Sequence, residues 1–221
     1  MPDRITAWSF SRWVLYEKCA RKAYYKFIRK LPDPMGPAVE RGGLIHKKAE
    51  DYIRKTIKAV PVELKPVEKM LKELRSVGAS PELELAVDKD WKPVEWYAPN
   101  AWGRAKIDTA VMFNDGQLDI VDWKTGQYKP DDPDYDLQLE LYGVFGFATH
   151  DEAQRVHAKL AFTDHGEVPD KIFHRKDYKK LKVLWEKRIK PMLTDERFEP
   201  NPGRECLWCV YSKKKGGECE Y

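Results

Sequence analysis

The sequence predicts a mixed α/β or α+β domain, in which helices precede and follow a short run of strands. Two observations predict this class. Apolar residues recur at steps of three or four over the first third of the chain, and they alternate with polar residues once the chain reaches Leu83. Because helices, a three-stranded meander, a helix and further strands follow one another, the expected layers are a sheet and helices.

Proline and glycine mark where the early helices stop. Pro32, Pro61 and Gly78 end the first three helical patterns, since proline cannot continue a helix and glycine is favoured just after one. From Glu199 onward the chain is rich in Pro, Gly, Cys and Lys, which predicts an irregular tail. The predicted helices are 7–30, 38–59, 66–77, 135–149 and 176–193.

Strands are predicted where hydrophobic and polar residues alternate. The strongest turn signal is Asn114-Asp115-Gly116, which separates two alternating segments and is typical of a hairpin. The predicted strands are a segment around Leu83, Leu85 and Val87, then 103–113, 117–124, 156–163 and 167–174.

Length and composition restrict the class of protein. The chain has 221 residues, 42% hydrophobic and 12% aromatic, which suffices for a packed core and excludes global disorder. A net charge of +4 excludes a histone-like binder that relies on charge alone. No apolar run approaches the ~20 residues of a spanning helix, and no secretory signal is visible. We therefore expect a soluble intracellular protein without a membrane partner.

Two carboxylates, Asp108 and Asp122, are predicted to face each other across the hairpin. A three-residue turn ending at Gly116 gives this register and places their Cβ atoms ~5 Å apart. A two-residue turn would put them on opposite faces. The three-residue turn is preferred because it also keeps four apolar side chains on one face, namely Ala110, Met112, Leu118 and Ile120.

Opposed carboxylates repel each other and need a proton, a cation or a base nearby. Oxygen ligands with open positions suit Mg²⁺ or Mn²⁺. Lys124 shares the face of Asp122 and is placed to orient a water or to stabilise charge on a phosphate. The alternative is an ordinary salt-bridged cluster at the end of a strand.

His46 is predicted to point inward from the second helix. Its stripe, at steps of three or four, consists of Val39, Gly42, Ala49 and Ile53. Such a histidine is either a metal ligand or a core histidine with satisfied hydrogen bonds. Gln138 and Tyr142 lie one turn apart in a later helix, either beside the carboxylates or on a helix face of mixed polarity.

The order of these residues resembles the RecB-type nuclease domains of the PD-(D/E)XK superfamily. The segment from Ser9 to Lys22 is also similar to the start of this family, although the proline of the signature is absent before Asp108. The matching motifs are Gly42-Gly43-Leu44-Ile45-His46, Glu84 in a strand, Gly103 to Asp108, Asp122-Trp123-Lys124 and Gln138-Leu139-Glu140-Leu141-Tyr142.

The resemblance implies a central mixed sheet flanked by helices and metal-dependent cleavage of DNA phosphodiesters. The implied ligands of Mg²⁺ or Mn²⁺ are His46, Asp108, Asp122 and the Trp123 carbonyl. The implied catalytic residues are Asp108, Asp122, Lys124, which would position the attacking water, and Glu84 as an additional acid. The implied DNA contacts are Gln138 and Tyr142.

The first predicted helix carries basic residues with interleaved aromatics. Basic side chains contact phosphates and aromatic rings stack on unpaired bases, so Arg21 and Lys22 are candidates for DNA binding. The alternative for most of these residues is a solvated basic face over an aromatic core.

The four cysteines are divided between the two ends of the sequence, with Cys19 near the start and Cys206, Cys209 and Cys219 near the end. Disulfides are not expected in an intracellular nuclease. Four thiolates suit either tetrahedral Zn²⁺ or an iron–sulfur cluster. The arrangement resembles the iron–sulfur subset of RecB-like nucleases, the CRISPR-associated and AddB-type members, and this resemblance implies a 4Fe–4S cluster.

We therefore expect one nuclease domain over 1–221, with a core at about 38–175 and with the segments 7–30 and 199–221 joined through the cysteines. The expected activity is that of an exonuclease on DNA ends or single-stranded DNA, in a bacterium, an archaeon or a phage. A separate helicase, annealing or CRISPR-adaptation protein is the expected partner. The alternatives are a non-catalytic DNA-end-binding subunit and a zinc-bound interaction module.

Overall fold

The computed structural model describes residues 4–221. Two compact units divide the chain: Met35–Val183, and the chain up to Pro34 together with Leu184–Tyr221. We refer to them as the sheet unit and the terminal unit. That they act as one domain stays a prediction.

Within residues 4–221, six α-helices and six strands follow one another in the predicted order, except that the first predicted helix is divided in two and one short strand is added. A π-helical turn, Tyr24–Ile28, directly follows the second helix. The helices are α1 (Phe10–Lys18), α2 (Ala20–Ala23), α3 (Pro37–Ile53), α4 (Glu68–Ser76), α5 (Pro133–Thr149) and α6 (Tyr178–Thr194). The strands are β1 (Ser80–Val87), β2 (Pro93–Val94), β3 (Gly103–Met112), β4 (Gln117–Lys124), β5 (Arg155–Phe162) and β6 (Asp170–His174).

The sheet has the order β2-β1-β3-β4-β5-β6. Neighbouring strands are antiparallel except β4 and β5, which are parallel and are therefore joined by the crossover helix α5. The expected fold class, a mixed sheet flanked by helices, is confirmed.

The predicted register of the β3–β4 hairpin is also confirmed. Ala110 stands opposite Ile120 and Met112 opposite Leu118. Gly116 has a φ of +81°, the left-handed conformation that a three-residue turn requires at its last position. The turn therefore determines which face each side chain of β4 occupies.

Both faces of the sheet are covered by apolar side chains. On one face, α5 approaches so closely that a Cβ on Gly146 would lie 2.9 Å from Val156 Cγ2 and 3.1 Å from Leu118 Cδ2. The other face holds a cluster from α3, α4 and the strands, which includes Ile45, Ala49, Leu71, Val121 and Trp123. Successive residues of β4 thus alternate between two buried layers.

The helix predicted at 7–30 is wrong as a single element. Cys19 is extended, with φ −164° and ψ 109°, and separates α1 from α2. Lys30 has a φ of +53°, which ends the helical stretch before Pro32 is reached. Ser9 caps α1, because its side chain accepts a hydrogen bond from the Arg12 N–H at 3.4 Å.

Other predicted boundaries also need correction. The helix predicted at 38–59 ends at Ile53, and Lys55 beyond it has a φ of +65°. The helix predicted at 66–77 begins at Glu68, after a 3-10 turn. Val39 is 60% exposed and does not face the core, because the first two turns of α3 extend beyond the apolar cluster. The two-residue strand β2 is too short to show a pattern of its own.

The terminal unit is held by aromatic stacking and by hydrogen bonds between its two segments. The rings of Trp8 and Trp185 stack with centroids 5.7 Å apart. Side-chain hydrogen bonds also join early residues to late ones, among them Tyr16 to Asp195 at 2.8 Å, Asn201 to the Lys18 carbonyl at 3.1 Å, and Tyr211 to the Leu31 carbonyl at 3.2 Å. In the described part of the chain, residues 4–221, no helix has both the length and the apolar character needed to span a bilayer.

Replacement of Gly146 by alanine should destabilise the protein, because the new methyl group enters space already filled by Val156 and Leu118. We expect a loss of about 1–3 kcal/mol in the free energy of unfolding, the usual cost of an overpacked core. Gly43→Ala is the matched control. That glycine is also helical, has no atom within 4 Å of the added Cβ, and should gain up to about 1 kcal/mol. Urea denaturation followed by circular dichroism measures both, and equal effects would contradict the assigned packing.

Candidate active site

The candidate site forms where β3 and β4 separate. The last ladder pair is Thr109 opposite Val121. The next pair of the same register consists of Asp108 and Asp122, which are 8% and 6% exposed. Phe113 donates its N–H to the Gln117 carbonyl, so the odd-numbered pairs carry the ladder bonds. Asp108 and Asp122 thus belong to a non-hydrogen-bonded pair, where opposed side chains are closest.

Asp108 is held by both of its oxygens. Its Oδ1 lies 3.0 Å from His46 Nδ1, and its Oδ2 accepts the Trp123 backbone N–H at 2.8 Å. Burial raises the pKa of Asp108, and the charge of Asp122 raises it further against the opposing effect of His46. The carboxylate therefore depends on its two donors to remain ionised.

His46 reaches this pair from the third turn of α3, where Ile45 and Ala49 are buried beside it. Burial lowers the pKa of His46, but the hydrogen bond to Asp108 and the charges of Asp108 and Asp122 outweigh it and raise the pKa overall. The imidazole is therefore paired with the carboxylates and is not isolated on an apolar stripe.

Asp122 is surrounded by polar groups from α5 and from its own strand. Gln138 Nε2 donates to Asp122 Oδ1 at 3.2 Å and to Tyr142 Oη at 2.7 Å, while the Tyr142 hydroxyl donates to the same Asp122 oxygen. Burial raises the pKa of Tyr142 well above its usual range, and Asp122 adds to the effect, so the phenol stays protonated. Lys124 Nζ lies 2.8 Å from Asp122 Oδ2.

Seven of the predicted residues thus converge within one site. His46, Asp108 and Asp122 supply an imidazole and two carboxylates, Lys124 supplies a partly exposed ammonium, and α5 supplies an amide and a phenol. Trp123 contributes its backbone. Imidazole and carboxylate groups are ligand types of divalent cations, and an ammonium and a phenol can orient a water and stabilise negative charge.

Glu84 lies apart from this group. It is exposed in β1, opposite Lys106, and none of its contacts within residues 4–221 joins it to Asp108 or Asp122. In the register of β1 and β3, the residue opposite Asp108 is Glu82. It has a φ of +57° and forms an ion pair with Lys106 Nζ at 2.5 Å. The assignment of Glu84 stays a prediction.

One residue that contacts the segment after Lys124 was not indicated by any pattern in the sequence. Asp164, at the turn after β5, accepts the backbone N–H of Gly126 at 2.8 Å, two residues after Lys124. Because this contact joins positions 38 residues apart, neither hydrophobic periodicity nor a local motif could have indicated it.

The four cysteines line one small cavity of the terminal unit. All four are free thiols of intermediate exposure, and Arg21 and Lys22 line the same cavity. Within residues 4–221, no group of three or more His, Cys, Asp or Glu side chains is arranged so that it could hold a metal ion, either here or in the sheet unit. The predicted DNA contacts of Arg21 and Lys22 stay predictions.

Comparison with known proteins gives one family. Residues 7–213 match the model of the PD-(D/E)XK nuclease superfamily, and no curated protein matches the chain. Among solved structures, the protein SSO0001 is similar with a TM-score of 0.51 and 17% identity, over 97% of this chain and 86% of that one. A protein of Eubacterium rectale named as a candidate exonuclease is similar with a TM-score of 0.53 and 16% identity, over 92% and 87%. The fold is thus shared with these structures, and since the family model covers nearly the whole chain, the protein belongs to the PD-(D/E)XK nuclease superfamily.

Proposed function

We propose that the protein is a divalent-metal-dependent deoxyribonuclease, an exonuclease that acts on DNA ends or on single-stranded DNA. The observation that carries the proposal is the convergence of Asp108, Asp122 and Lys124 with His46 at the point where β3 and β4 separate. Membership of the superfamily supports nuclease chemistry. The name of the Eubacterium rectale neighbour supports the choice of an exonuclease.

The chemistry of the donor set fits Mg²⁺ or Mn²⁺. Asp122 Oδ2 is buried and accepts no hydrogen bond from residues 4–221, although it lies close to the Lys124 ammonium. A buried carboxylate oxygen that accepts no hydrogen bond is stabilised by a cation beside it. His46, Asp108 and Asp122 would hold the ion, together with the Trp123 carbonyl. When bound, the ion would lower the pKa of a water and withdraw charge from the phosphate.

The other groups of the site have separate tasks in this proposal. Lys124, whose side chain is 26% exposed, donates to the attacking water and to the phosphate oxygens as charge develops on them. Gln138 and Tyr142 hold the rotamer of Asp122, since both donate to its Oδ1. Their contact with DNA stays a prediction, and Tyr142 is buried beside Asp122. The Trp123 N–H and His46 fix Asp108 in the same way. The attacking water loses its proton to solvent as its oxygen bonds to phosphorus, and the leaving oxygen takes a proton from solvent as its bond to phosphorus breaks.

We also propose that the four cysteines bind a 4Fe–4S cluster, with Zn²⁺ as the alternative. The support is that all four thiols line one cavity although they lie up to 200 residues apart in the sequence. The buried Ser212 hydroxyl, which has no hydrogen-bond partner within residues 4–221, lines the same cavity. A separate helicase, annealing or CRISPR-adaptation partner stays a prediction.

Neutralising either member of the Asp122–Lys124 pair should abolish cleavage. We expect Asp122→Asn and Lys124→Met to lower kcat about 100-fold or more, because each removes charge from the reacting centre. The assay uses end-labelled single- and double-stranded DNA and a closed single-stranded circle, each with Mg²⁺, Mn²⁺ or EDTA. Linear DNA should be degraded only with metal, and the circle should survive.

A second buried ion pair of the same sheet provides the matched control. Asp119 is 7% exposed in β4 and lies 2.6 Å from Lys159 Nζ, but it faces away from the site. Asp119→Asn and Lys159→Met should therefore keep kcat near the wild-type value at temperatures where the protein stays folded. Wild-type cleavage by Asp122→Asn would refute the assignment, and absence of metal-dependent cleavage of any DNA would favour a non-catalytic end-binding subunit.

Anaerobically purified protein should absorb visible light and contain about four iron atoms per chain. Cys206→Ser and Cys209→Ser should lose the colour and lower the Tm, because the ligand is removed from the cavity. Ser212→Ala, which changes a side chain of the same cavity without removing a thiol, should keep both. A colourless protein with one zinc per chain would contradict the cluster.

A further inference from the structure

We propose that Asp164 is a positioning residue, which joins the segment after Lys124 to the beginning of the helix that carries His46. The inference rests on the proposed function of the site. It concerns a contact between three separate segments of the sheet unit, namely the end of β4, the turn after β5 and the first turns of α3.

Both oxygens of Asp164 are used. The Arg41 guanidinium makes a bidentate contact, with Nη2 2.6 Å from Oδ1 and Nη1 3.1 Å from Oδ2. Oδ2 also accepts the backbone N–H of Gly126 at 2.8 Å. The hydrogen bond with Arg41 lowers the pKa of Asp164, so the carboxylate is charged at neutral pH.

Thr163, the residue before Asp164, binds the same segment at a second point. Thr163 is fully buried, and both its backbone N–H and its hydroxyl donate to the Lys124 carbonyl, at 2.8 and 3.1 Å. Thr163 thus fixes the backbone at Lys124, and Asp164 fixes it two residues later at Gly126. The φ of Gly126 is +94°, a conformation that glycine adopts without strain. Because glycine also adopts many other conformations, the contact with Asp164 helps to define the path of the chain there.

The first turns of α3 need such a contact more than the rest of the helix. From Pro37 to Arg41 every residue is exposed, and the first buried residue of the helix is Ile45. Apolar packing therefore fixes α3 only from the turn that contains His46 onward. The described contact that ties the preceding turns to the sheet is the pair between Arg41 and Asp164.

An exposed ion pair of this kind contributes little to global stability. Its effect on rate can be much larger, since a displacement of about 1 Å in a catalytic group can cost about 100-fold. Asp164 is placed to give this effect, because it limits the freedom of Lys124 and of the approach to His46 at once. The consequence is a change in kcat with little change in Tm.

Three variants separate the two contacts of Asp164. Asp164→Ala removes both and should lower kcat about 10- to 100-fold, with KM within about twofold of the wild-type value. Asp164→Asn keeps an acceptor for the Gly126 N–H, and Arg41→Ala leaves the carboxylate in place. Each should lower kcat less than Asp164→Ala. The same variants are examined by hydrogen exchange, in which Asp164→Ala should speed the exchange of the Gly126 amide.

Asp115 gives a control with the same chemistry at the other end of β4. It lies 2.6 Å from Arg155 Nη2 and accepts the Gln117 backbone N–H at 3.1 Å. Asp115→Ala thus loses an arginine pair and a backbone contact without touching the site, and it should leave kcat and the Gly126 amide unchanged.

Two results would overturn the positioning role: an Asp164→Ala variant with wild-type kcat and unchanged exchange at Gly126, or an equal loss of kcat in Asp115→Ala. Should the wild-type protein cleave no DNA with any metal, the proposed nuclease function fails. Hydrogen exchange then still decides whether Asp164 holds the segment after Lys124.

Discussion

The hydrogen bond from the Trp123 backbone N–H to the Asp108 carboxylate is the constraint on which the site depends. If the hairpin register continued, this N–H would donate a ladder hydrogen bond to the Ile107 carbonyl. The Asp108 side chain accepts the hydrogen bond instead. The ladder between β3 and β4 therefore ends one pair early. β3 continues beside β1 alone, and an opening forms in the sheet between two carboxylates that are otherwise buried.

Position along β4 decides the environment of each acidic residue. Asp119 and Asp122 are equally buried and three residues apart, so they lie on opposite faces of the sheet. Asp119 is neutralised by Lys159 and accepts a hydrogen bond from the Gln117 amide. Asp122 receives two neutral donors on one oxygen and leaves the other beside the Lys124 ammonium. The first arrangement is that of a satisfied ion pair, whereas the second leaves capacity for a further cation.

The register and the convergence of the site were predictable because they follow from local rules. Gly116 specifies the turn and the alternation of β4 specifies its faces. The approach of His46, Gln138 and Tyr142 was implied by the resemblance to the family's motifs. The boundaries of the helices were harder, since Cys19 and Lys30 interrupt a continuous helical pattern through backbone conformations that it does not reveal. Asp164 was not predictable at all, because its partner Arg41 is 123 residues away.

The long sequence separation between its contacting residues determines when the terminal unit can form during synthesis. Its hydrogen bonds join Tyr16 to Asp195 and Tyr211 to Leu31, pairs separated by about 180 residues. Contacts of such long range require closure of a very large loop, which is slow and which cannot begin before the later partner has been made. The sheet unit, Met35–Val183, has its whole chain available earlier. Until residues 184–221 have been made, the aromatic side chains of α1 therefore lack partners such as Trp185, against which Trp13 packs in the folded unit.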